Sequence, residues 1–163
     1  MILVADASAL IALASCNSLA LLEALYREVL VPETVFYEVT VVGKPQSDRL
    51  RAFLQGKVRK VDVSHFVHLG VAADMGETEA MLLYKNLSAD CLLIDDQRGR
   101  KVAIINQIKT VGSLGLLLRA KRAGLVARVA PLIEQIAAGP IFMSERLIST
   151  VLDLAGEDAG QPV

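Results

Sequence analysis

The sequence predicts an α/β domain built on a mostly parallel β-sheet that helices cover on both faces. Short, continuously apolar runs at residues 1–5 and 91–94 are typical of strands that are buried on both faces. Segments with apolar residues at helical spacing follow these runs, and this alternation indicates βαβ units. The chain has 163 residues, a length at which one domain buries about 70% of its unfolded surface. We therefore expect one main core that needs no metal or disulfide to hold it.

Turn-forming and helix-capping residues divide the first half of the chain. The first strand ends at Asp6, and Ser18 is an N-cap candidate between two short helical segments. Pro32 suits the first position of a helix, although the β-branched end of that segment, up to Val42, could also be extended. The predicted elements are a strand at 1–5, helices at 9–14 and 19–26, a strand at 28–31, helices at 32–42 and 47–55, and an edge strand at 58–63.

The second half continues the alternation and then becomes entirely helical. Ser113 is a candidate cap, and Gly124 ends the helix that follows it. The predicted elements are a helix at 76–87, a strand at 91–94, a helix at 97–108, a short strand at 109–111, and helices at 114–123, 126–138 and 144–154. We interpret residues 1–125 as the α/β domain, 126–155 as a helical extension packed on it, and 156–163 as a flexible tail.

Composition excludes several classes of protein. The residues AVILMFWYC make up 53% of the chain, which excludes a disordered or low-complexity protein. Charged residues make up 21%, a low share that favours an apolar surface covered by a partner or a second copy. Two isolated cysteines favour reduced thiols, and no apolar run is long enough for a membrane span. We therefore expect a cytoplasmic protein.

Four acidic residues occupy positions where a carboxylate is unexpected. Asp6 and Asp95 follow buried strands, at the sheet edge where open α/β folds bind ligands, although each could instead cap the next helix. On helical projections, Glu38 and Glu77 fall within apolar arcs and point inward. The alternatives are a salt bridge for Glu38 and a solvated helix start for Glu77.

Four inward or edge carboxylates would repel one another unless a cation compensates them. All-oxygen ligands select hard cations, and Mg²⁺ binds through carboxylates, waters and substrate phosphates. The pattern therefore predicts a divalent-metal site for phosphodiester chemistry, with a Lewis acid on the phosphate and an activated water as nucleophile.

Other chemistries lack their motifs. The chain has no phosphate-binding glycine loop of the P-loop or dinucleotide type. Asp6-Ala7-Ser8 lacks the second aspartate of phosphoaspartate hydrolases, and the residues before Asp6 lack the acidic pair of a signalling receiver. His65 and His68 are the only histidines, and a zinc site needs three or four ligands.

Basic residues are concentrated after the last strand-end acid. No acid occurs between Gln97 and Ile133, whereas this stretch holds eight of the 17 lysines and arginines. Its first members, Arg98, Arg100 and Lys101, begin beside Asp95 and suit contacts with a nucleic-acid backbone. The alternative is a solvated face that acids elsewhere in the fold balance. The formal net charge of −1 therefore does not exclude RNA as a partner.

Six stretches together resemble the PIN-domain nucleases, in particular VapC-like toxins and a related prokaryotic subgroup. They are VADASALIALA, LLEALYREVLVPETVFYEV, GETEAMLL, LLIDDQRGRKVA, GSLGLLLRAKRAGLV and MSERLISTVLDLAGE. The resemblance covers nearly the whole chain. It implies a Rossmann-like three-layer fold and a metal-dependent endoribonuclease that uses Mg²⁺ or Mn²⁺.

The resemblance also assigns residues. Asp6, Glu38, Glu77 and Asp95 match the four acidic positions of the family, and Ser8 matches a small polar residue that supports the first acid. Asp6, Glu38 and Asp95 would hold the metal, and Glu77 would complete the shell or position the attacking water. Two departures are Leu93, where many members carry Thr, Ser or Asn, and Glu77, where Asp is commoner; Asp96 is a further candidate ligand.

For partners, the resemblance implies RNA and, in toxin-like members, a cognate antitoxin that occupies the cleft; the high apolar content fits both a homodimer and such a partner. Arg98, Arg100 and Lys101 would bind RNA phosphates. The alternative function is a non-catalytic nucleic-acid-binding or regulatory PIN-like protein whose metal site has decayed.

Overall fold

Five parallel strands form a single sheet at the centre of the molecule. The computed structural model describes residues 1–64 and 74–157, so His65 and His68 lie outside the described residues. The strands are Ile2–Ala5 (β1), Glu28–Pro32 (β2), Val58–Arg59 (β3), Cys91–Leu93 (β4) and Thr110–Val111 (β5). Their order in the sheet is β3-β2-β1-β4-β5, which places β1 and β4 side by side at the centre, where the direction of winding reverses.

Helices cover both faces of this sheet, which confirms the predicted three-layer α/β fold. Alternate residues of β1 separate the two cores: Leu3 and Ala5 face one, and Val4 faces the other. The helices of the described residues are Ala7–Ser15 (α1), Ala20–Leu25 (α2), Glu33–Val39 (α3), Ser47–Leu54 (α4), Met75–Leu87 (α5), Gln97–Ile105 (α6), Ser113–Arg122 (α7), Ala130–Ala137 (α8) and Glu145–Ala155 (α9). The side chains of α5 and α6 fill the Val4 core, and the other helices pack on the opposite face.

Two predicted helix caps are wrong. The Ser18 hydroxyl donates to the carbonyl of Cys16, and α2 begins at Ala20 without a side-chain cap. Gly112, not Ser113, precedes α7, and the backbone N–H of Ser113 donates to the carboxylate of Asp95. Local spacing predicts both serines as helix-start residues, but Ser18 bonds back to the preceding turn, and the N–H of Ser113 is taken up by Asp95, 18 residues earlier in the chain.

None of the helices in residues 1–64 and 74–157 has the length and apolarity needed to cross a membrane. Cys16 and Cys91 are both buried free thiols, as the sequence predicts.

The C-terminal helices complete the larger core. Helix α8 packs on α1, and α9 packs on α7. Glu157, which the sequence assigns to the tail, is buried: its carboxylate accepts from the backbone N–H groups of Val129 (2.8 Å) and Ala130 (2.9 Å) and pairs with Lys121 at 2.5 Å. Burial raises the pKa of Glu157, but Lys121 and these N–H donors outweigh it and hold the pKa below its usual range. Glu157 thus joins α7 to the start of α8.

Glu157→Ala is expected to lower the free energy of unfolding by about 2–3 kcal/mol, because it leaves two buried N–H groups without their acceptor and the Lys121 ammonium with only the carbonyl of Ala155. For a chain of this size that is a loss of roughly 4–12 °C in Tm, measured by circular dichroism at pH 7.5. The control is Glu134→Ala, which removes an exposed carboxylate from α8. Equal midpoints for the two variants would contradict the role of Glu157.

Candidate active site

The carboxyl ends of β1 and β4 form a crevice at the point where the sheet order reverses. The backbone N–H of Asp6 donates to the carbonyl of Leu93 (2.9 Å), which brings the ends of the two strands together. Four helices, α1, α5, α6 and α7, begin close to acidic residues of this edge. In open α/β sheets, ligands bind in the crevice at such a reversal. The fold therefore places its candidate site between the residues that follow β1 and β4.

Asp6 is buried at the start of α1, with 4% of the residue exposed. Its Oδ2 accepts from the hydroxyl of Ser8 at 3.0 Å and from the backbone N–H of Ser8 at 3.4 Å. Burial raises the pKa of Asp6 to about 6; the hydrogen bonds from Ala7 and Ser8 oppose this, and the charge of Asp74 adds to it. Ser8 thus contacts Asp6 through both its hydroxyl and its backbone N–H.

Glu77 is also buried, in the first turn of α5. It forms a capping box with Asp74: the N–H of Glu77 donates to Oδ1 of Asp74 (2.8 Å), and the N–H of Asp74 donates to Oε2 of Glu77 (3.1 Å). Burial, with smaller contributions from the negative charges of Asp74, Asp6 and Asp96, raises the pKa of Glu77 to about 7, against the lowering effect of the Asp74 N–H. The same charges that would attract a cation therefore surround Glu77.

Asp74 is a site residue that the sequence analysis missed. Its charge raises the pKa of Asp6, Glu38 and Glu77, so it lies within electrostatic reach of all three. The signal was available in the spacing of Asp74 and Glu77, because an acid or hydroxyl residue three positions before Glu is the pattern of a capping box. The predicted helix begins at Gly76, which leaves Asp74 outside it.

The helical projection that placed Glu38 inward is wrong. It included Val41 and Val42 in the apolar arc, but α3 ends at Val39, and Val42 is 88% exposed. Glu38 is itself an exposed residue. Its carboxylate nevertheless approaches the start of α5, because a Cβ built on Gly76 would lie 3.4 Å from Oε2 of Glu38. Burial raises its pKa, and the charge of Asp74 adds to this.

Asp95 and Asp96 point to different neighbours although they are adjacent. Oδ1 of Asp95 accepts from the N–H of Ser113 at 2.7 Å, and its Oδ2 is buried without a hydrogen-bond partner among the described residues. Burial raises the pKa of Asp95, against the lowering effect of Ser113 and Arg100. Asp96 caps α6, and its charge acts on Glu77. Asp95 therefore connects β4 to α7, whereas Asp96 belongs to the electrostatic group of Glu77.

The basic residues after Asp96 separate into two groups. Arg98 and Lys101 are exposed on α6, and Arg100 is half-buried beside Asp95. Further along, Arg119 donates to the hydroxyl of Tyr26 at 2.6 Å, and Lys121 and Arg128 lie at 2.5 and 3.9 Å from Glu157. In the first group only Arg100 contacts the region of an acid of the crevice, whereas the three residues of the second group are engaged by Tyr26 or Glu157.

The donor set fits a hard divalent cation in its chemistry. The site offers only carboxylate oxygens, one of which, Oδ2 of Asp95, is a buried acceptor without a partner in the described chain. No lysine or arginine of residues 1–64 and 74–157 forms a salt bridge with Asp6, Glu77 or Asp95. Within those same residues, no three carboxylate, histidine or cysteine side chains converge on one metal position. Among the described residues, the carboxylates therefore share one crevice without forming a coordination shell.

Comparison with known proteins agrees with this architecture. The family described as the PIN domain matches residues 2–157, which is nearly the whole chain. Searches of the curated proteins and of the solved structures found no match to this chain. Since the family match spans the sheet, both helical layers and every described acid of the crevice, this chain belongs to the PIN-domain family, whose members are typically nucleases.

Proposed function

We propose that this chain is an endoribonuclease that depends on Mg²⁺ or Mn²⁺ and hydrolyses phosphodiester bonds of RNA. The observation that carries the proposal is the pair of buried, unneutralised carboxylates, Asp6 and Glu77, at the reversal point of the sheet. Burial raises the pKa of these residues to about 6 and about 7, so ionising them at neutral pH costs free energy that a bound cation would offset. The test is cleavage of labelled RNA with Mn²⁺ or with EDTA, by the wild-type protein and by Asp6→Asn.

Asp6, Glu38, Glu77 and Asp95 would hold the cation, and Asp96 is a further ligand candidate because its charge acts on Glu77. A bound divalent cation supplies a Lewis acid that polarises the scissile phosphate. The chain itself supplies the orientation: Ser8 holds Asp6, the N–H of Asp74 holds Glu77, and the N–H of Ser113 holds Asp95. Three of the four proposed ligands are thus fixed by hydrogen bonds on the protein side.

Arg98 and Lys101 are proposed to bind RNA phosphates beside the crevice, with Arg100 contributing to the same basic surface. Both side chains are exposed on α6, whose N-cap is Asp96. The first turn of α6 therefore presents cations next to the acidic group, so an RNA backbone drawn to the cations would pass the carboxylates.

The double variant Arg98→Ala/Lys101→Ala is expected to weaken RNA binding about tenfold and to reduce the slope of log K against log salt by about 1.4, because two phosphate contacts are lost. Fluorescence anisotropy with single-stranded RNA in the Asp6→Asn background measures binding without cleavage. The control Arg122→Ala/Arg146→Ala removes the same charge from exposed positions on α7 and α9. An unchanged slope in the first variant, or the same loss in the control, would contradict the assignment.

A toxin role with a cognate antitoxin, a homodimer and a cytoplasmic location complete the proposal. Large exposed apolar side chains support a covered surface: Val42 is 88% exposed, Ile105 79% and Phe142 90%. A small DNA-binding antitoxin encoded next to this chain would support the toxin role, and light scattering tests the dimer.

A non-catalytic, RNA-binding or regulatory protein is the second candidate. The observation that favours it is that no three potential ligands of the described residues converge on one metal position. Isothermal titration with Mn²⁺ separates the two functions. Binding that Asp6→Asn abolishes supports the nuclease, and RNA binding without any Mn²⁺ binding supports the alternative.

A further inference from the structure

Glycines lie where α5, α6 and α7 approach the acidic crevice, and at two of them, Gly99 and Gly112, a Cβ would come within 3.0 Å of a carboxylate oxygen. A Cβ built on Gly99, in the first turn of α6, would lie 2.7 Å from Oε1 of Glu77 and 2.8 Å from its carboxyl carbon. It would also lie 2.7 Å from Cδ1 of Ile94. Real Cβ atoms essentially never approach heavy atoms this closely, so any side chain at position 99 must displace the end of Glu77, the end of Ile94, or both.

The conformation of Gly99 does not require glycine. Position 99 is helical and its φ is not positive, so an alanine there would be accepted by the backbone and preferred in the helix. Glycine at this position therefore lowers the stability of the helix, and the backbone does not use the conformations that only glycine can adopt. What it provides is space, and the Glu77 carboxylate occupies that space.

Gly99 is also tied to the neighbouring acid. Its backbone N–H donates to Oδ1 of Asp96 at 2.8 Å, the bond that caps α6. The other Glu77 oxygen, Oε2, accepts from the N–H of Asp74. Glu77 is thus held at one oxygen by α5 and confined at the other by α6. The separation between Glu77 and Asp96 depends on how closely the two helix starts approach each other.

We propose that Gly99 is a positioning residue for the third carboxylate: the missing side chain lets a glutamate, one methylene longer than aspartate, reach its place between α5 and α6. The expected effect of Gly99 on metal binding rests on the proposed function, whereas the steric contact between position 99 and Glu77 does not depend on it. A side chain at position 99 would push the end of the Glu77 side chain from this place, and a shorter acid at position 77 would reduce that contact. The two positions therefore form a size-matched pair, either Gly with Glu or Ala with Asp.

The test compares Gly99→Ala in two backgrounds, wild type and Glu77→Asp, by isothermal titration with Mn²⁺. Gly99→Ala is expected to weaken Mn²⁺ binding about 10–100-fold in the wild type, the range for residues that orient a ligand, and by much less in Glu77→Asp. Gly99→Ala/Ile94→Val relieves only the apolar contact and is expected to stay weak. An equal loss in both backgrounds, or no loss at all, would overturn the proposal.

Thermal unfolding of the metal-free proteins keeps the contact testable if the wild type binds no Mn²⁺. Gly115→Ala, at an exposed position of α7 where a Cβ would meet only Val111 at 3.4 Å, is expected to raise the Tm by about 2–4 °C. In the wild type, Gly99→Ala should raise the Tm by less than Gly115→Ala does. In the Glu77→Ala background, where the carboxylate is absent, the Tm increase caused by Gly99→Ala should be larger than in the wild type. The same Tm change in both backgrounds would refute the contact. Absence of Mn²⁺ binding by the wild type would refute only the proposed function.

Discussion

Asp6→Asn is expected to reduce Mn²⁺-dependent RNA cleavage at least about 100-fold and to leave the fold intact. Asparagine keeps the shape of the side chain, and its oxygen can still accept from the N–H and hydroxyl of Ser8. It lacks the negative charge, and loss of a ligand is expected to cost more than the 10–100-fold loss typical of residues that only orient one. Initial rates on a labelled single-stranded RNA, with saturating Mn²⁺ and with EDTA, measure the effect.

The same substitution should raise the stability of the metal-free protein. Burial raises the pKa of Asp6 to about 6, so at pH 7.5 the folded state pays for an ionised carboxylate that the unfolded state solvates freely. The matched control is Asp48→Asn, an exposed acid in the first turn of α4. Full cleavage activity of Asp6→Asn would contradict the assignment of Asp6 to the site. A comparable loss of activity in Asp48→Asn would show that the effect comes from the change in overall charge.

The metal-free protein is expected to lose stability as the pH rises from 5 to 8. The pKa of Glu77 is about 7 in the folded chain against an ordinary 4.5, and that of Asp6 about 6 against 3.8. Because both folded-state values are raised, the folded state binds more protons than the unfolded state in this range. Their stabilising effect is complete below about pH 4 and is lost as the pH passes through 6 and 7.

After allowance for solvent screening, the expected loss is roughly 2 kcal/mol, or about 4–8 °C in Tm. The measurement is confined to pH 5–8, because below pH 5 the protonation of Glu157, whose pKa is lowered, would reduce the stability of the fold. Glu77→Gln should remove a large part of the slope, whereas Glu134→Gln, an exposed change on α8, should retain it. A wild-type Tm that rises over this range, or an unchanged slope in Glu77→Gln, would contradict the assignment.

Mn²⁺ should reverse the dependence of the Tm on pH. Ligands must be ionised to bind it, so the cation stabilises the protein more at pH 7.5 than at pH 5. Scanning calorimetry with and without 1–10 mM Mn²⁺, about the range needed for a weak site, measures this difference. Stabilisation by Mn²⁺ that is independent of pH, or that persists in Asp6→Asn, would indicate binding elsewhere.

The sequence by itself determined the order of elements and the class of fold. Continuous apolar runs such as Leu92 to Ile94 require burial on both faces, and a sheet buried on both faces with helices between its strands is parallel. That reasoning also predicts Asp6 and Asp95 at strand ends: Asp6 directly follows β1, and Asp95 lies two residues after the end of β4 at Leu93. These inferences succeed because each depends on a period or a boundary within a single segment.

The tertiary structure decided which way the acids point. Of two adjacent residues, Asp95 accepts from the N–H of Ser113 at the start of α7, and Asp96 caps α6. No pattern within one segment distinguishes them. Glu38 was placed by extending a helical period beyond the true end of α3. Such directions depend on contacts between segments that are distant in the chain, and Gly99 shows why: its role appears only when α6 meets Glu77 on α5. Periodicity describes the face of one element, whereas a site is made where several elements end together.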